Sequence, residues 1–348
     1  MDVLQMTSRR RETYEIKIEA SLLWETALGI AAITNKRLID TLEKPKESWD
    51  QLKKSLSKQL IRELTFVENE NTWKALLLLL HQKEFQKLSE FMAFLDELDD
   101  ETFRYICLPY IGVKFQELRT LASRGDNASR QTLKKRTEDN LFFPDYIEFI
   151  CTTDPLKLKS HLKNVMTNWY EEVTAPQAET LTGILTLDKQ AKKKMSEKLK
   201  PEALVEWATG GITYLPEPSV HTVLLIPQLV YRPWNVEGDV EGVKVFYYPV
   251  ANESIYPNDL DMPSYFLVQK HKALGDEARL RMVKLLKGSE RSLQEITNEL
   301  TMGKSTVHHH LKILRSARLV ETQDGKYRLK ENAVQSLSNE LMQYLTEE

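Results

Sequence analysis

Apolar residues recur at helical spacing from Leu22 to about Leu204, and no other feature constrains the fold as tightly. The pattern breaks at Pro45, Pro109, Gly125, Pro144, Pro155 and Pro176, so it predicts a set of short helices rather than a few long ones. From residue 22 to about residue 42 the spacing is helical. Trp73, Leu76, Leu77 and Leu80 fall at i, i+3, i+4 and i+7, a core-facing stripe. Leu78 and Leu79 widen that stripe until the helix must be buried on most sides. Residues 189–200 predict a basic helix with a solvated face. Ahead of all these, Tyr14, Ile16 and Ile18 alternate with Glu15, Lys17 and Glu19, the pattern of a half-buried strand.

The character changes after Gly210-Gly211. Residues 220–226 (VHTVLLI) and 243–248 (VKVFYY) are β-branched and aromatic runs, punctuated by Pro227, Pro233, Gly238, Gly242 and Pro249. They predict a small sheet that the strand at 14–19 joins. Residues 252–263 carry Pro257, Asn258, Asp259, Asp261 and Pro263, the composition of a linker. The expected architecture is mainly α: a helix-rich N-terminal domain with a small sheet (1–250), a linker (251–263) and a compact C-terminal domain (264–348).

The 348 residues are 41% apolar and 28% charged, which suits two ordinary domains and excludes a disordered polyelectrolyte. Two cysteines, Cys107 and Cys151, exclude a disulfide scaffold and an all-cysteine zinc site. Residues 1–12 hold Arg9, Arg10 and Arg11 with no apolar stretch behind them, so they do not read as a secretory leader. The longest leucine run, 76–80, is far short of the roughly 17 residues a membrane span needs. A soluble, cytoplasmic protein is expected. The net charge of −3 hides a division: residues 265–330 hold 14 basic and 7 acidic side chains, leaving 34 basic against 44 acidic elsewhere. A block of +7 on a body of −10 points to a polyanion-binding module, with chance fluctuation as the bland alternative.

That block is the most legible part of the chain. Residues 265–274 form a helix stopped by Gly275, and Asp276 is placed to cap a second in which Leu280, Val283 and Leu286 make an apolar stripe. Ser292 and Glu295 have capping-box spacing and open a third helix, residues 293–300. After the turn Thr301-Met302-Gly303, a fourth helix from Lys304 turns Val307, Leu311 and Leu314 inward. Helix, short turn and helix with a polar leading face is an arrangement that sets the second helix in a DNA major groove. Strands at 319–322 and 326–330 flank Gln323-Asp324-Gly325, a hairpin-turn signal that predicts a β-wing. A last amphipathic helix carries Val334, Leu337, Leu341 and Leu345.

These residues resemble the ArsR family of bacterial winged-helix regulators. The likeness rests on Ala273-Leu274-Gly275-Asp276, Arg279-Leu280-Arg281, the run Ser305 to Leu314 (STVHHHLKIL) and Leu319-Val320, about a quarter of the chain. Ser21 to Glu25 and Leu224 to Pro227 also resemble a subgroup with a long N-terminal domain whose ligand is unknown. The resemblance implies a DNA-binding transcription regulator, a repressor acting as a homodimer on a near-palindromic operator. Lys304, Ser305, Thr306, His308, His309 and Lys312 would face the groove, with Lys326 and Arg328 on the wing. Phe266, Leu337, Leu341 and Leu345 would form the dimer seam. Metal-sensing members carry cysteines where this chain reads Ser292-Leu293-Gln294-Glu295, and others use His on a final helix that has none here. No metal and no cofactor is therefore expected, and sensing of a small molecule or partner protein passes to the N-terminal domain.

Other motifs weigh less. Gly303-Lys304-Ser305 resembles the end of a phosphate-binding loop, but Asn298 stands where that motif needs glycine. His308, His309 and His310 are consecutive and fan around the helix, so they cannot converge on one metal. His308 and His309 point outward, whereas His310, on the core-side edge, reads equally as a buried histidine or a DNA contact. Cys107 and Cys151 read as inert thiols, with a redox switch as the alternative. Trp24, Trp73, Trp169 and Trp207 read as core, and His161 is a candidate pocket lining beside Trp169 and Tyr170. No catalytic signature occurs, so an enzyme is not expected. An enzyme domain fused to a winged helix and a protein-interaction adaptor remain the rival readings.

Overall fold

The computed structural model describes residues 13–346, apart from Arg37, Leu260, Asp324 and the side chain of Gln343. The reading of residues 1–12 lies outside the described residues. The chain forms two units, one of residues up to Leu204 with Tyr214–Val250, the other of Val205–Thr213 with Ala251 onward.

The first unit opens with strand β1 (Glu15–Ile18) and helices α1 (Leu22–Thr34), α2 (Lys46–Ser55), α3 (Lys58–Glu70) and α4 (Trp73–Leu80). Then come α5 (Leu88–Glu97), α6 (Asp100–Cys107), α7 (Gln116–Ser123), α8 (Asn127–Arg136) and α9 (Phe143–Thr152). It continues through α10 (Pro155–Trp169) and α11 (Ala178–Ser196) to α12 (Pro201–Thr209), within which the chain passes to the second unit. Strands β2 (Thr222–Gln228), β3 (Val236–Val240) and β4 (Val243–Pro249) complete a sheet in the order β1-β2-β4-β3.

Two helices carry the core. Residues Leu23 to Ile33 of α1 and Ala75 to Leu80 of α4 are buried throughout, the condition of a helix that is apolar on all sides. Gly29 lets α1 touch α10, because a Cβ there would stand 2.8 Å from the Trp169 Nε1 atom. The helical spacing over 22–42 forms a helix only as far as Thr34, and a short turn, Ile39–Thr41, follows. The basic run on α11 is not wholly solvated either. Lys192 and Asp188 are buried, 3.5 Å apart, with the ammonium over the Tyr248 ring at 5.6 Å.

In the sheet, β1 runs parallel to β2 and β2 parallel to β4, while β3 and β4 form an antiparallel hairpin that turns at Gly242, φ +75°. Val223 to Gln228 are all buried, so β2 is covered on both faces and shows no alternation. β1 and β3, at the edges, alternate between exposed and half-buried.

The second unit holds α13 (Asn252–Ile255), α14 (Tyr265–Leu274), α15 (Glu277–Gly288), β5 (Arg291–Ser292), α16 (Leu293–Leu300) and α17 (Lys304–Ser316). It closes with β6 (Val320–Gln323), β7 (Lys326–Leu329), α18 (Glu331–Gln335) and α19 (Leu337–Thr346). Its sheet has the order β5-β7-β6. The Asp276 carboxylate caps α15 by accepting the Arg279 N–H at 3.0 Å. Arg279 in turn donates to the Ala273 and Lys272 carbonyls at 2.6 and 3.2 Å, closing the end of α14. That double cap is the physical content of the Gly275-Asp276 and Arg279 motif.

Three expectations need correction here. Leu280 is 50% exposed, because Met282 and Leu286 at i and i+4 take the core face and turn Leu280 to the opposite side. The single final helix is two, α18 and α19, with Ser336 between them. Trp207 is 43% exposed rather than core. No helix among the described residues is long and apolar enough to cross a membrane.

Candidate nucleic-acid interface

The expected capping box is present. Ser292 accepts the Glu295 N–H at 3.3 Å, and the Glu295 carboxylate accepts the Ser292 N–H at 2.7 Å. Thr301 ends α16 in the left-handed region, φ +51°, and Gly303 begins α17 with no side chain to cap it. Among the described residues no side chain caps the opening N–H groups of α17. A phosphate is their natural acceptor, favoured also by the helix dipole.

Val307, Leu311 and Leu314 are fully buried and fix the rotation of α17. Lys304, Ser305, His308 and His309 are exposed, and Lys312 is half-buried. At 100° per residue Ser305, His308, His309 and Lys312 fall within one broad face away from the core, while Lys304, in the exposed first turn, projects on the side of Leu311. Thr306 is exposed but lies toward the side of that face. Arg315 is exposed and continues the line of Lys304 and His308 at i+11, a cation the sequence reading did not single out although the spacing shows it. His310 is half-buried, its Nδ1 without a hydrogen-bond partner among the described residues and 3.9 Å from an Asp276 carboxylate oxygen.

The wing is a hairpin in which Gln323 pairs with Lys326 and Gly325 adopts φ +74°. Asp324, part of the predicted turn, lies outside the described residues. Both wing cations are engaged at the surface: Lys326 with Glu290 at 3.4 Å, and Arg328 with Glu321 directly across the strands. Exposed pairs of this kind are worth about 0–1 kcal/mol, too little to keep either cation from a phosphate.

The candidate seam residues are placed unevenly. Leu337 and Leu341 are half-buried, whereas Met342 and Leu345 are 56% and 64% exposed. Lys270 of α14 holds Glu340 of α19 at 2.6 and 2.8 Å, tying the two helices together. Phe266 has one ring face under the Arg318 guanidinium, 3.6 Å from the centroid.

In the first unit, His161 does not line an open pocket. Its Nδ1 bonds Glu63, and its Nε2 shares a hydrogen with Thr72 Oγ1 at 2.9 Å. Acid, imidazole and hydroxyl in that order match a hydrolase relay. Thr72 has no exposed surface, however, and Phe66 packs edge-on against His161, so the three groups pin α3, α4 and α10 together. Cys107 and Cys151 are buried, and burial pushes the Cys151 thiol up to about 11 and Cys107 higher still, away from thiolate reactivity. Trp24 and Trp169 are core, and Trp73 is half-buried. Among the described residues no three His, Cys, Asp or Glu side chains converge as a metal site requires.

Residues 276–322 match the family model described as bacterial regulatory protein, arsR family. Comparison with curated proteins gives no match, and comparison with solved structures gives none. The matched segment runs from the cap of α15 through α16 and α17 into β6, so it contains the whole helix-turn-helix.

Proposed function

We propose that this chain, which carries an ArsR-family helix-turn-helix domain, is a cytoplasmic transcription repressor that binds a near-palindromic operator as a homodimer. Its N-terminal unit senses a non-metal ligand or a partner protein. The observation that carries the reading is the exposed polar face of α17, with Ser305, His308, His309 and Lys312 away from a core face of Val307, Leu311 and Leu314, and Lys304 exposed at the start of the helix. Lys304, at the uncapped start of the helix, is suited to phosphate. His309, further along the face, is suited to base edges, and Thr306 flanks them. Lys326 and Arg328 exchange their weak surface pairs for the adjacent DNA backbone. Phe266, Leu337, Leu341 and Leu345 contribute to the seam between copies, and two-fold symmetry makes the operator palindromic.

A salt titration on an operator selected from random duplexes, and on random DNA, tests the assignment. Lys304→Ala should weaken both complexes alike and flatten the log–log salt slope by about 1. His309→Ala should cost roughly 1–3 kcal/mol on the operator and little on random DNA. Equal losses for His309→Ala on both DNAs would mean that its side chain touches phosphate or supports the fold, not a base.

A further inference from the structure

Arg318 follows the end of α17 by two residues and is the most anomalous side chain of the second unit. Its backbone is left-handed, φ +59°, a conformation glycine adopts without penalty and arginine does not. The residue is 8% exposed. Its guanidinium lies on the Phe266 ring, and neither Nη1 nor Nη2 has a hydrogen-bond partner among the described residues. No carboxylate pairs with it in any ion pair of the described residues. Burial accordingly holds its pKa well below the ordinary guanidinium value.

What covers the guanidinium is the excursion Val205–Thr213. α12 ends with the Gly211 N–H on the Glu206 carbonyl at 2.6 Å, and Gly210 and Gly211 both take positive φ, +63° and +123°. A Cβ built on Gly210 would fall onto the Arg318 Nη1 atom, so only glycine permits this approach. On the other side, the Lys330 ammonium stands 3.2 Å from where a Gly211 Cβ would be. Arg318 adjoins the end of α17, and Lys330 follows β7 directly. Gly210 and Gly211, just past the end of α12, therefore lie against cations from the base of the helix-turn-helix and the base of the wing, Lys330 itself standing 4.0 Å from Glu321. The helix dipole offsets part of the cost of burying them. It cannot offset two buried, unbonded guanidinium nitrogens, whose desolvation is the larger effect.

We propose that residues 205–213 are a releasable latch on the DNA-binding unit, kept reversible by the unneutralised charge of Arg318. In the docked state, seen here, Arg318 is buried between Phe266 and Gly210. In the released state its guanidinium is in water and the end of α12 is free of α17 and the wing. A strained backbone and an unpaired buried cation persist where the surroundings over-determine them, and they lower the cost of leaving. Because α12 is one continuous helix from Pro201, whatever the N-terminal unit senses acts on the latch through its first turn. That last step rests on the regulator reading above.

Hydrogen exchange on the full chain tests the latch, read at residues 206–211 and, as the internal control, at residues 304–316. Arg318→Met keeps the stem and removes the charge, so it should lock the latch and slow exchange at 206–211 by about tenfold or more. Gly210→Ala should push the segment off and speed it by a similar factor. Exchange at 304–316 should change by no more than about twofold in either variant. Unchanged or faster exchange at 206–211 in Arg318→Met overturns the proposal, as does a loss of protection spread equally over 304–316. A second arm adds random duplex DNA at low salt. Bound duplex should alter exchange at 206–211 in the wild type, since coupling is reciprocal, and much less in Arg318→Met. Bound duplex with no effect on the wild type removes the coupling. A duplex that fails to bind defeats the DNA-binding reading alone, and the latch is then judged by the two variants.

Discussion

Glu25 shows how one residue can set a pH dependence. It sits on α1, 7% exposed, with its carboxylate accepting the Leu229 N–H at 3.0 Å. Burial pushes its pKa up to about 7, although the backbone N–H groups of Leu229 and Val230 pull the other way. In the unfolded chain the carboxyl ionises near 4.5. Below that value it is protonated in both states and costs nothing. Between the two values only the unfolded chain releases the proton, so stability declines as pH rises, and the full cost of about 3 kcal/mol is reached above 7. Glu25→Gln keeps an acceptor oxygen and cannot titrate. Denaturant unfolding across about pH 5 to 8 should show this variant gaining on the wild type by up to that amount. A difference that stays flat with pH would clear Glu25 of the effect. The sequence offers Glu25 only as part of a resemblance, because inside an apolar helix it reads like any surface acid, and only tertiary burial marks it. Sequence reading missed Arg318, whose left-handed backbone no local residue announces. The α17 face was different, since Val307, Leu311 and Leu314 fix which neighbours point outward.

Elements were legible where their ends are chemically marked. Gly275, Asp276, Ser292 and Glu295 stop or start helices by forming specific hydrogen bonds, and the structure contains those bonds. β3 escaped notice because Glu237, Gly238 and Asp239 are poor strand residues, and only the hairpin with β4 makes them one. The break between α18 and α19 carries no Pro or Gly. Leu280 was misassigned because helical spacing permits more than one stripe on α15, and packing selects Met282 and Leu286. The capping box makes a direct test of the legible class. Ser292→Ala removes the acceptor of the Glu295 N–H and should destabilise α16 by about 1 kcal/mol. Faster amide exchange in α16, relative to α10 in the other unit, would register it, and unchanged exchange would show that the box contributes nothing.

At the level of the whole molecule, the question is assembly. Met342 and Leu345 expose an apolar edge of α19 that one copy leaves in water, next to the half-buried Leu337 and Leu341. Leu341→Asp should weaken a dimer because a charge in an apolar seam costs several kcal/mol unless paired. Leu345→Asp is the cleaner variant, since at 64% exposure it supports its own fold little. Sedimentation of the full chain should show both variants shifted toward monomer, with operator affinity lost in parallel. A dimer that survives Leu345→Asp and Leu341→Asp places the seam elsewhere. Gly210-Gly211 was visible in the sequence as a change of character. Its membership of the second unit was not, because contacts with Arg318 and Lys330 more than a hundred residues later decide it.

The parallel pairing of β1 with β2 has a consequence for the order of events on the ribosome. Glu15 finds its partner strand at Thr222. At synthesis rates of about 5–20 residues per second, the first strand emerges roughly 10–40 s before that partner exists. The helices from α1 to α10 pack mainly on one another and can assemble in the interval, before β2 exists. The segment at 15–18 must wait beside them as an unpaired edge. With Glu15, Lys17 and Glu19 at every second position, that edge carries the charges that discourage nascent chains on one polysome from joining strand to strand.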